Sequence, residues 1–373
     1  MLSAFLCLLV LALWALLLLG RFHEDDRFRL EPSPPPDPKP GVSIVIPARN
    51  EAHQIADCVA SLRAQTLPPR EIVVVDDGST DGTADVVRAL AGRLPHDDVP
   101  VVLIEGEHPP EGWIGKNHAI VQGLPHATGE WILFTDADTI HAPELLASAV
   151  SHAQRHDLAL LSLTGEQQAV GAWEKIVQPL VFRLLDFLYP MPVVNGPDPE
   201  RAAANGIYLL IRRDAYERIG THAALAGDVL EDVAIARAVR RAGYRTAFLR
   251  GGSLLFVRMY RDLRQLWEGW TKNLWPLLGR DGRRCALAAT GVLAAGVLPI
   301  AVLCYDGPAG WAAAIGAFGA EAWLRSRERG DLLYVATLPL GALVLAAMIV
   351  ESARRHPGGG GISWKGRSYP SSR

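Results

Sequence analysis

Trp131-Ile132-Leu133-Phe134-Thr135-Asp136-Ala137-Asp138 is the stretch on which the fold turns. Its first five residues are apolar or β-branched and uninterrupted, as in a short strand buried on both faces. Two carboxylates follow, one residue apart, where that strand would emerge from its sheet. In open α/β sheets, ligands bind just beyond the carboxyl ends of the strands. Carboxylate oxygens are hard donors suited to Mg2+ or Mn2+, which bind through one or two carboxylates plus substrate phosphates. Taken alone, Asp-x-Asp fits an ordinary polar turn equally well, so the surrounding chain has to decide.

Outward from this stretch the same pattern repeats. Val42–Pro47, Glu71–Asp76 and Val101–Ile104 read as further strands, with helical patterns over Glu51–Ala64, Thr83–Leu90 and Lys116–Gly123 between them. Strands alternating with helices of this length predict an α/β domain with a mostly parallel sheet and helices on both faces. Its bounds read as residues 41–257, with more helix and shorter strands after about Leu158. Two strands end as the first does. Ser43-Ile44-Val45-Ile46-Pro47-Ala48-Arg49-Asn50-Glu51 runs into a polar loop, and Glu71-Ile72-Val73-Val74-Val75-Asp76-Asp77-Gly78-Ser79-Thr80-Asp81-Gly82-Thr83 into acid and glycine. Asp76 at a strand end suits a carboxylate accepting from a base or ribose hydroxyl. Gly78 and Gly82 permit tight turns, and Asp81 or Thr83 fits a helix N-cap.

The 373 residues are 49% hydrophobic with mean hydropathy +0.14, and the apolar excess is localised. Leu2–Leu19 carries no charge and would span roughly 27 Å as a helix, close to a bilayer core. It lacks the basic start and small-residue cleavage site of a signal peptide, so residues 1–20 read as a retained anchor. Residues 21–40 are a charged, Pro-rich spacer. In residues 258–280, Leu263, Leu266, Trp267, Trp270, Leu274, Leu277 and Leu278 recur at helical spacing among Arg258, Arg261, Arg264 and Lys272. That predicts an interfacial amphipathic helix with tryptophans at headgroup depth. Residues 281–351 hold three apolar segments, Cys285–Cys304, Ala309–Leu324 and Asp331–Val350, the middle one short. Residues 352–373 form a basic tail.

Arg21, Arg27, Arg29, Arg283 and Arg284 place the α/β domain on the cytoplasmic side of an inner membrane by the positive-inside rule. Three full C-terminal spans would put the tail outside, yet Arg354, Arg355, Lys365 and Arg367 argue that it is inside. One of the three segments should therefore not cross. The formal net charge of −3 gives no argument for nucleic acid. Cys7, Cys58, Cys285 and Cys304 show neither metal-ligand spacing nor a disulfide framework.

The strand–loop motifs Val42–Glu51 and Val73–Thr83, together with Thr135-Asp136-Ala137-Asp138, resemble the family-two glycosyltransferases, which have the GT-A fold. The resemblance covers about Gly41–Tyr260. It implies a metal-dependent, inverting hexosyltransferase. Pro47, Arg49, Asn50, Glu51, Asp76, Asp77, Lys116 and Asp136 would bind the nucleotide-sugar, with Asp76 or Asp77 on its uracil or ribose. Asp136 and Asp138 would hold the divalent cation, Mg2+ or Mn2+. Lys116, within Gly112–Asn117, offers a point charge to a phosphate. Val229-Leu230-Glu231-Asp232-Val233 is similar to the family's Glu-Asp acceptor motif, which implies Asp232 as catalytic base. An acidic first helical turn would account for it without chemistry. Asn205, Gly206, Glu231, His222, Lys272 and Asn273 fall on the acceptor or diphosphate side.

Processive polysaccharide synthases of this family carry Gln-x-x-Arg-Trp near the first C-terminal span. Here Arg264–Asn273 reads otherwise. With Ala204-Asn205-Gly206, Arg258-Met259-Tyr260 and Trp364–Arg367, the chain resembles the carotenoid- and hopanoid-associated subgroup. The partners this implies are a nucleotide-sugar donor, most simply UDP-linked, a lipid acceptor and the bilayer. Transfer to polyprenyl phosphate, polysaccharide synthesis and a catalytically silent membrane scaffold are the alternatives. Trp364–Arg367 either folds back as a flap or trails after Gly358–Gly361.

Overall fold

A computed structural model describes residues 2–22, 26–92, 99–305, 307–355, 362–364 and 367–369. Helix α1 (Leu2–Phe22) precedes the α/β domain. Its first half comprises β1 (Val42–Ala48), α2 (Ile55–Arg63), β2 (Glu71–Asp76), α3 (Thr83–Ala91), β3 (Val101–Glu105), α4 (Gly115–Gly123) and β4 (Trp131–Thr135). The second half adds β5 (Thr139–His141), α5 (Leu145–Arg155), β6 (Leu160–Thr164), β7 (Glu166–Gln167), α6 (Ala172–Leu188) and α7 (Met191–Val194). It closes with β8 (Tyr208–Arg212), α8 (Arg213–Arg218), α9 (Glu231–Arg241), β9 (Thr246–Arg250) and β10 (Leu255–Val257). Then come α10 (Leu263–Leu277), α11 (Gly282–Tyr305), α12 (Gly307–Arg327), α13 (Leu338–Arg355), β11 (Ile362–Trp364) and β12 (Arg367–Tyr369).

The main sheet has the order β3-β2-β1-β4-β8-β6-β9. Only β8 runs against the others, antiparallel to both β4 and β6. Alternate side chains explain why its strands are apolar throughout. Ile44, Ile72 and Leu133 face a core shared with α2, α3 and α5, whereas Val45, Val73 and Ile132 face a core shared with α4, α8 and α9. The parallel register sets Ala48 beside Asp76, and β1 also pairs with β4. Arg49, Asp77 and Asp136 therefore leave three adjacent strands at one edge. A small second sheet, β5-β10-β7, sets Val257 beside Thr139 and so brings Arg258–Tyr260 against Asp138.

Helix α2 starts at Ile55, four residues after the predicted Glu51. The amides of Asn50, Glu51 and Ala52 donate to Ser79 Oγ (2.9 Å), Thr83 Oγ1 (2.9 Å) and Asp81 Oδ2 (3.0 Å). The second strand–loop takes these donors, and Asn50 adopts φ 54°, which ends regular structure there. Asn50 Oδ1 answers by accepting from Thr80 N at 2.8 Å.

The apolar face of α10 also departs from expectation. Trp270 is buried, edge-on to Phe182 and Tyr260, in a core that α10 shares with α6, α11 and α13. These helices, not headgroups, cover it. Among the described residues, Gly282–Leu303 and Leu332–Arg355 are long and apolar enough to cross a membrane. α12 does not meet that measure, and the apolar stretch of α1 is Ala4–Leu18. β11 and β12 pair as an antiparallel hairpin, and β11 lies against α10. Gly358–Gly361 lie outside the described residues.

Candidate active site

The carboxyl edge of β1, β2 and β4 opens on a cavity of about 220 Å³. Pro47, Arg49, Glu51, Asp77, Asp136 and Asp138 line it from the sheet side. Lys116, Asn205, Gly206, Glu231, Asp232, Lys272 and Asn273 line it from α4, the loop before β8, the start of α9 and the middle of α10. Of the residues singled out in the sequence, Asn50, Asp76 and His222 are not on this wall.

Each of these three has a local reason. The Asn50 side chain ties the two strand–loops together. Asp76 is buried, accepts from Ser79 N at 3.2 Å through Oδ2, and its Oδ1 has no hydrogen-bond partner among the described residues. Asp77, not Asp76, faces the cavity, since its amide donates to Ala48 O at 2.8 Å and turns the chain outward. His222 sits behind the wall, buried, with Nδ1 2.6 Å from Tyr216 Oη and its ring edge-on to Phe134. Burial, with the Lys116 charge, pulls its imidazole down to about 3, which keeps it neutral.

Lys116 is the hub of the cluster. Its Nζ lies 2.8 Å from Asp136 Oδ1 and 2.9 Å from Glu231 Oε1. Burial alone would lower the lysine pKa, but Asp136 and Glu231 outweigh it and hold the ammonium well above its ordinary value. Asp232 accepts from Gly206 N at 2.9 Å and from its own helix at Val233 N, 2.8 Å. Burial, helped by the Glu231 charge and opposed by Lys116 and these amides, pushes its carboxyl up to about 7. A carboxylate poised near neutrality in a cleft has the proton affinity a general base needs.

The start of α9 supplies Glu231 and Asp232 because an acidic first turn complements the helix dipole. That local preference and the cavity position coexist.

Several residues position the cluster, Asn117 and Tyr260 among them without a role assigned in the sequence. Asn117, fully buried, donates from Nδ2 to Leu225 O (2.8 Å), Asp228 O (3.1 Å) and Ala226 O (3.3 Å). It thereby fastens the loop ahead of α9 to the helix that carries Lys116. At Gly206 a Cβ would lie 2.7 Å from Lys116 Nζ, so glycine is what lets the lysine reach both carboxylates. Tyr260 lines the cavity and packs on Gly269, where a Cβ would meet its hydroxyl at 2.3 Å. A glycine inside an amphipathic helix was the available signal for that approach. Arg258, next to the cavity-lining Met259 and Tyr260, pairs with the buried Glu174 (Nε–Oε1 3.2 Å).

Asp136 and Asp138 fit a divalent cation by donor chemistry, since both are half-buried carboxylates on one cavity wall. Among the described residues there is no preformed group of three His, Cys, Asp or Glu side chains that could hold a metal. Two carboxylates with the rest of the shell left to substrate is the pattern of Mg2+ or Mn2+ on a diphosphate, not of a caged structural ion.

Residues 43–220 match the family described as Glycosyl transferase family 2. A 4,4'-diaponeurosporenoate glycosyltransferase of Staphylococcus aureus (strain USA300) is 29% identical over 238 residues, 62% of this chain and 60% of the relative. Its counterpart in strain MRSA252 is 29% identical over 257 residues, 68% of this chain and 65% of the relative. The matched region thus spans less than two thirds of these relatives. The solved mannosyltransferase PcManGT from Pyrobaculum calidifontis, in complex with GDP-Man and Mn2+, superposes with a TM-score of 0.55 at 23% identity. That match covers 94% of this chain and 98% of that one. It shows the fold, which is GT-A-like. The α/β domain of this chain thus carries a match to Glycosyl transferase family 2 over residues 43–220 on a GT-A-like fold.

Proposed function

We propose that this chain is a membrane-bound, metal-dependent, inverting glycosyltransferase that moves a hexose from a nucleotide-sugar to a lipid acceptor. The observation that carries this reading is that one cavity is lined both by Asp77, Asp136 and Asp138 and by Glu231 and Asp232. The first set suits a nucleoside diphosphate, the second an acceptor. Asp136 and Asp138 would hold Mg2+ or Mn2+, which when bound neutralises charge on the leaving diphosphate. Asp77 takes the nucleoside side, and a UDP-linked hexose is the simplest donor.

Asp232 takes the proton of the acceptor hydroxyl or carboxylic acid as that oxygen attacks the anomeric carbon and the nucleoside diphosphate leaves. Direct displacement inverts the anomeric centre. Gly206 N and Val233 N hold the Asp232 carboxylate in place, and Lys116 spans the donor and acceptor sides. Lys272 and Asn273 bring α10, and with it the membrane-proximal helices, to the acceptor end of the cavity. Similarity to the diaponeurosporenoate glycosyltransferases supports an apolar lipid such as a carotenoid derivative, and a hopanoid derivative shares that chemistry.

The test is transfer of radiolabelled sugar from UDP-glucose, and then from other nucleotide-sugars, into the organic extract of membranes containing this chain and its native lipids. Label that EDTA abolishes and added Mn2+ or Mg2+ restores is expected. Mass analysis of the product separates a carotenoid or hopanoid acceptor from polyprenyl phosphate. No transfer from any donor would favour the silent scaffold.

A further inference from the structure

Behind the turn that carries Asp136 and Asp138 lies a polar network that takes no part in the chemistry proposed for the cavity. Thr135 ends β4, Thr139 opens β5 and His141 closes it, and all three side chains are buried. A hydroxyl has one proton to give and two lone pairs with which to accept, so the protons can be placed in turn. Thr135 Oγ1 lies 2.6 Å from Ile207 O, and a carbonyl only accepts, so the Thr135 proton is there. Thr135 Oγ1 is also 3.2 Å from His141 Nε2. With its own proton committed, Thr135 accepts, and the imidazole must carry its proton on Nε2. Burial pulls His141 down to about 3, so the ring is neutral and Nδ1 keeps its lone pair. That lone pair faces Ser61 Oγ of α2 at 3.3 Å, and the His141 amide donates to the same hydroxyl at 3.1 Å. The ring is thus held at both nitrogens, from α2 and from β4.

The network reaches both walls of the cavity. Thr139 Oγ1 donates to Asp136 O at 2.7 Å and stands 3.1 Å from Thr135 Oγ1, which pins the turn on the donor side. Thr135 leads to the other wall. Ile207 follows Gly206, whose amide donates to Asp232 Oδ2 at 2.9 Å and whose missing Cβ admits Lys116. β4 and β8 pair antiparallel with Thr135 opposite Tyr208, so the Thr135–Ile207 bond sits where the two strands part. One chain continues into Asp136–Asp138 and the other leads back to Asn205 and Gly206. Ladder bonds set the spacing inside a sheet, and beyond its end that task falls to side chains. Ser162 Oγ of β6 holds Asn205 from the far side, at 3.0 Å from its carbonyl and 2.8 Å from its amide. Thr135 is the side-chain tie from this loop to the strand of the two carboxylates. Valine would have the same shape at the end of this apolar strand, so what the threonine adds is the hydroxyl and its bonds.

We propose that Thr135, aimed by the Nε2–H of His141, is a positioning residue for the transfer step and sets the distance from Asp136 and Asp138 to Asp232. Neither Thr135 nor His141 lines the cavity, so both act through the residues that do. This inference rests on the reading of Asp136 and Asp138 as cation ligands and of Asp232 as base. Thr139 holds the Asp136 turn by its own bond. Loss of the Thr135 bond therefore loosens the Gly206–Asp232 side and leaves the donor side in place.

Thr135→Val, Thr135→Ser, His141→Leu and the double variant Thr135→Val with His141→Leu test it, each in the full chain in membranes with its native lipids. Two quantities are read. One is affinity for UDP-glucose with Mn2+, or for whichever nucleotide-sugar wild-type membranes turn over. The other is kcat per donor-binding site, which discounts unfolded chains. In Thr135→Val, donor affinity should stay within about twofold while kcat falls about ten- to a hundredfold, as displacements of about 1 Å cause. Thr135→Ser keeps the hydroxyl and should recover most of that rate. His141→Leu should lower kcat in the same way, and it decides the matter if Thr135→Val does not fold. The double variant should lose no more than Thr135→Val alone, since both changes act through one bond. Wild-type kcat in Thr135→Val would overturn the proposal. Equal losses of donor affinity and kcat would do so too, since the network would then support the site as a whole. Losses that multiply in the double variant would separate His141 from Thr135 and overturn it as well. In each of these cases the wild-type chain still binds donor and transfers, so the reading of the cavity stands. A wild-type chain that does neither would remove that reading and the positioning role with it.

Discussion

Two groups of charged side chains lie in this molecule away from bulk water, and they differ in one respect that matters. In the first, Lys116 joins Asp136 and Glu231 beside Asp232, and the group borders a cavity. In the second, Arg183 and Arg325 enclose Glu321, with Glu328 at 2.9 Å from Arg183 Nη2, and Glu321 and Arg325 are almost fully buried. There, Arg183 forks onto Glu328 through Nε and Nη2 and also donates to Glu321, Arg325 donates to Glu321 through Nε and to Lys175 O through Nη1, and the group ties α12 to α6. The first leaves its lysine about 30% exposed and holds a carboxylate whose pKa is raised to about 7. The same residue types tie two helices together in one group and border the cavity in the other.

The comparison is sharpened first at the carboxylates proposed to hold the metal. Asp138→Asn should abolish metal-dependent donor turnover, with no change in the thermal unfolding of the detergent-solubilised chain. Wild-type turnover in this variant would remove Asp138 from the metal site. At the second group the effects should be reversed. Glu321→Gln removes the charge between Arg183 and Arg325 and one of the two oxygens they share, and should cost about 3–5 kcal/mol of stability, the scale for breaking a buried ion pair. Transfer per folded molecule should stay within about twofold. A large loss of transfer without loss of stability would make this cluster part of the site.

Smaller effects probe how the first group is positioned. Gly206→Ala puts a methyl where Lys116 Nζ sits, and should lower transfer about ten- to a hundredfold, as misplacements of about 1 Å do, while the fold stands. Unchanged transfer would show that the Lys116 bridge is dispensable. The least of these effects is a shift in pH. Asp232 must be ionised to accept a proton, and its raised pKa penalises that charged form. Transfer should therefore fall as pH falls through about 7. Glu231→Gln removes a charge that helps raise it, so the midpoint should move to lower pH. A midpoint that stays put would mean that another group titrates.

The sheet edge was legible because strand order and alternation act locally. Trp131–Thr135 and Glu71–Asp76 are apolar on both faces, and each ends in acid where a ligand would meet the strand. The choice between Asp76 and Asp77 was not legible, since it depends on a hydrogen bond from Asp77 N to Ala48 on another strand. Nor was the start of α2, whose amides are claimed by side chains of a loop some thirty residues away. His222 looked like a site residue from its proximity to Glu231 along the chain, but its partner is Tyr216, behind the wall. The membrane end was hardest. The composition of α10 and α13 reads the same whether lipid or α6 covers them, and contacts such as Lys175 with Arg325 join residues 150 apart.

The central claim is that Asp232 acts in transfer, not in donor binding or folding. Its direct test is Asp232→Asn, assayed in parallel for binding of UDP-glucose with Mn2+ and for sugar transfer to the native lipid extract. If UDP-glucose is not the donor, the nucleotide-sugar that wild-type membranes turn over takes its place. The account predicts donor affinity within about twofold of wild type and transfer reduced by about 10²–10⁴, the range for loss of a general base. Transfer at the wild-type rate would contradict it, and so would loss of donor binding in proportion to transfer.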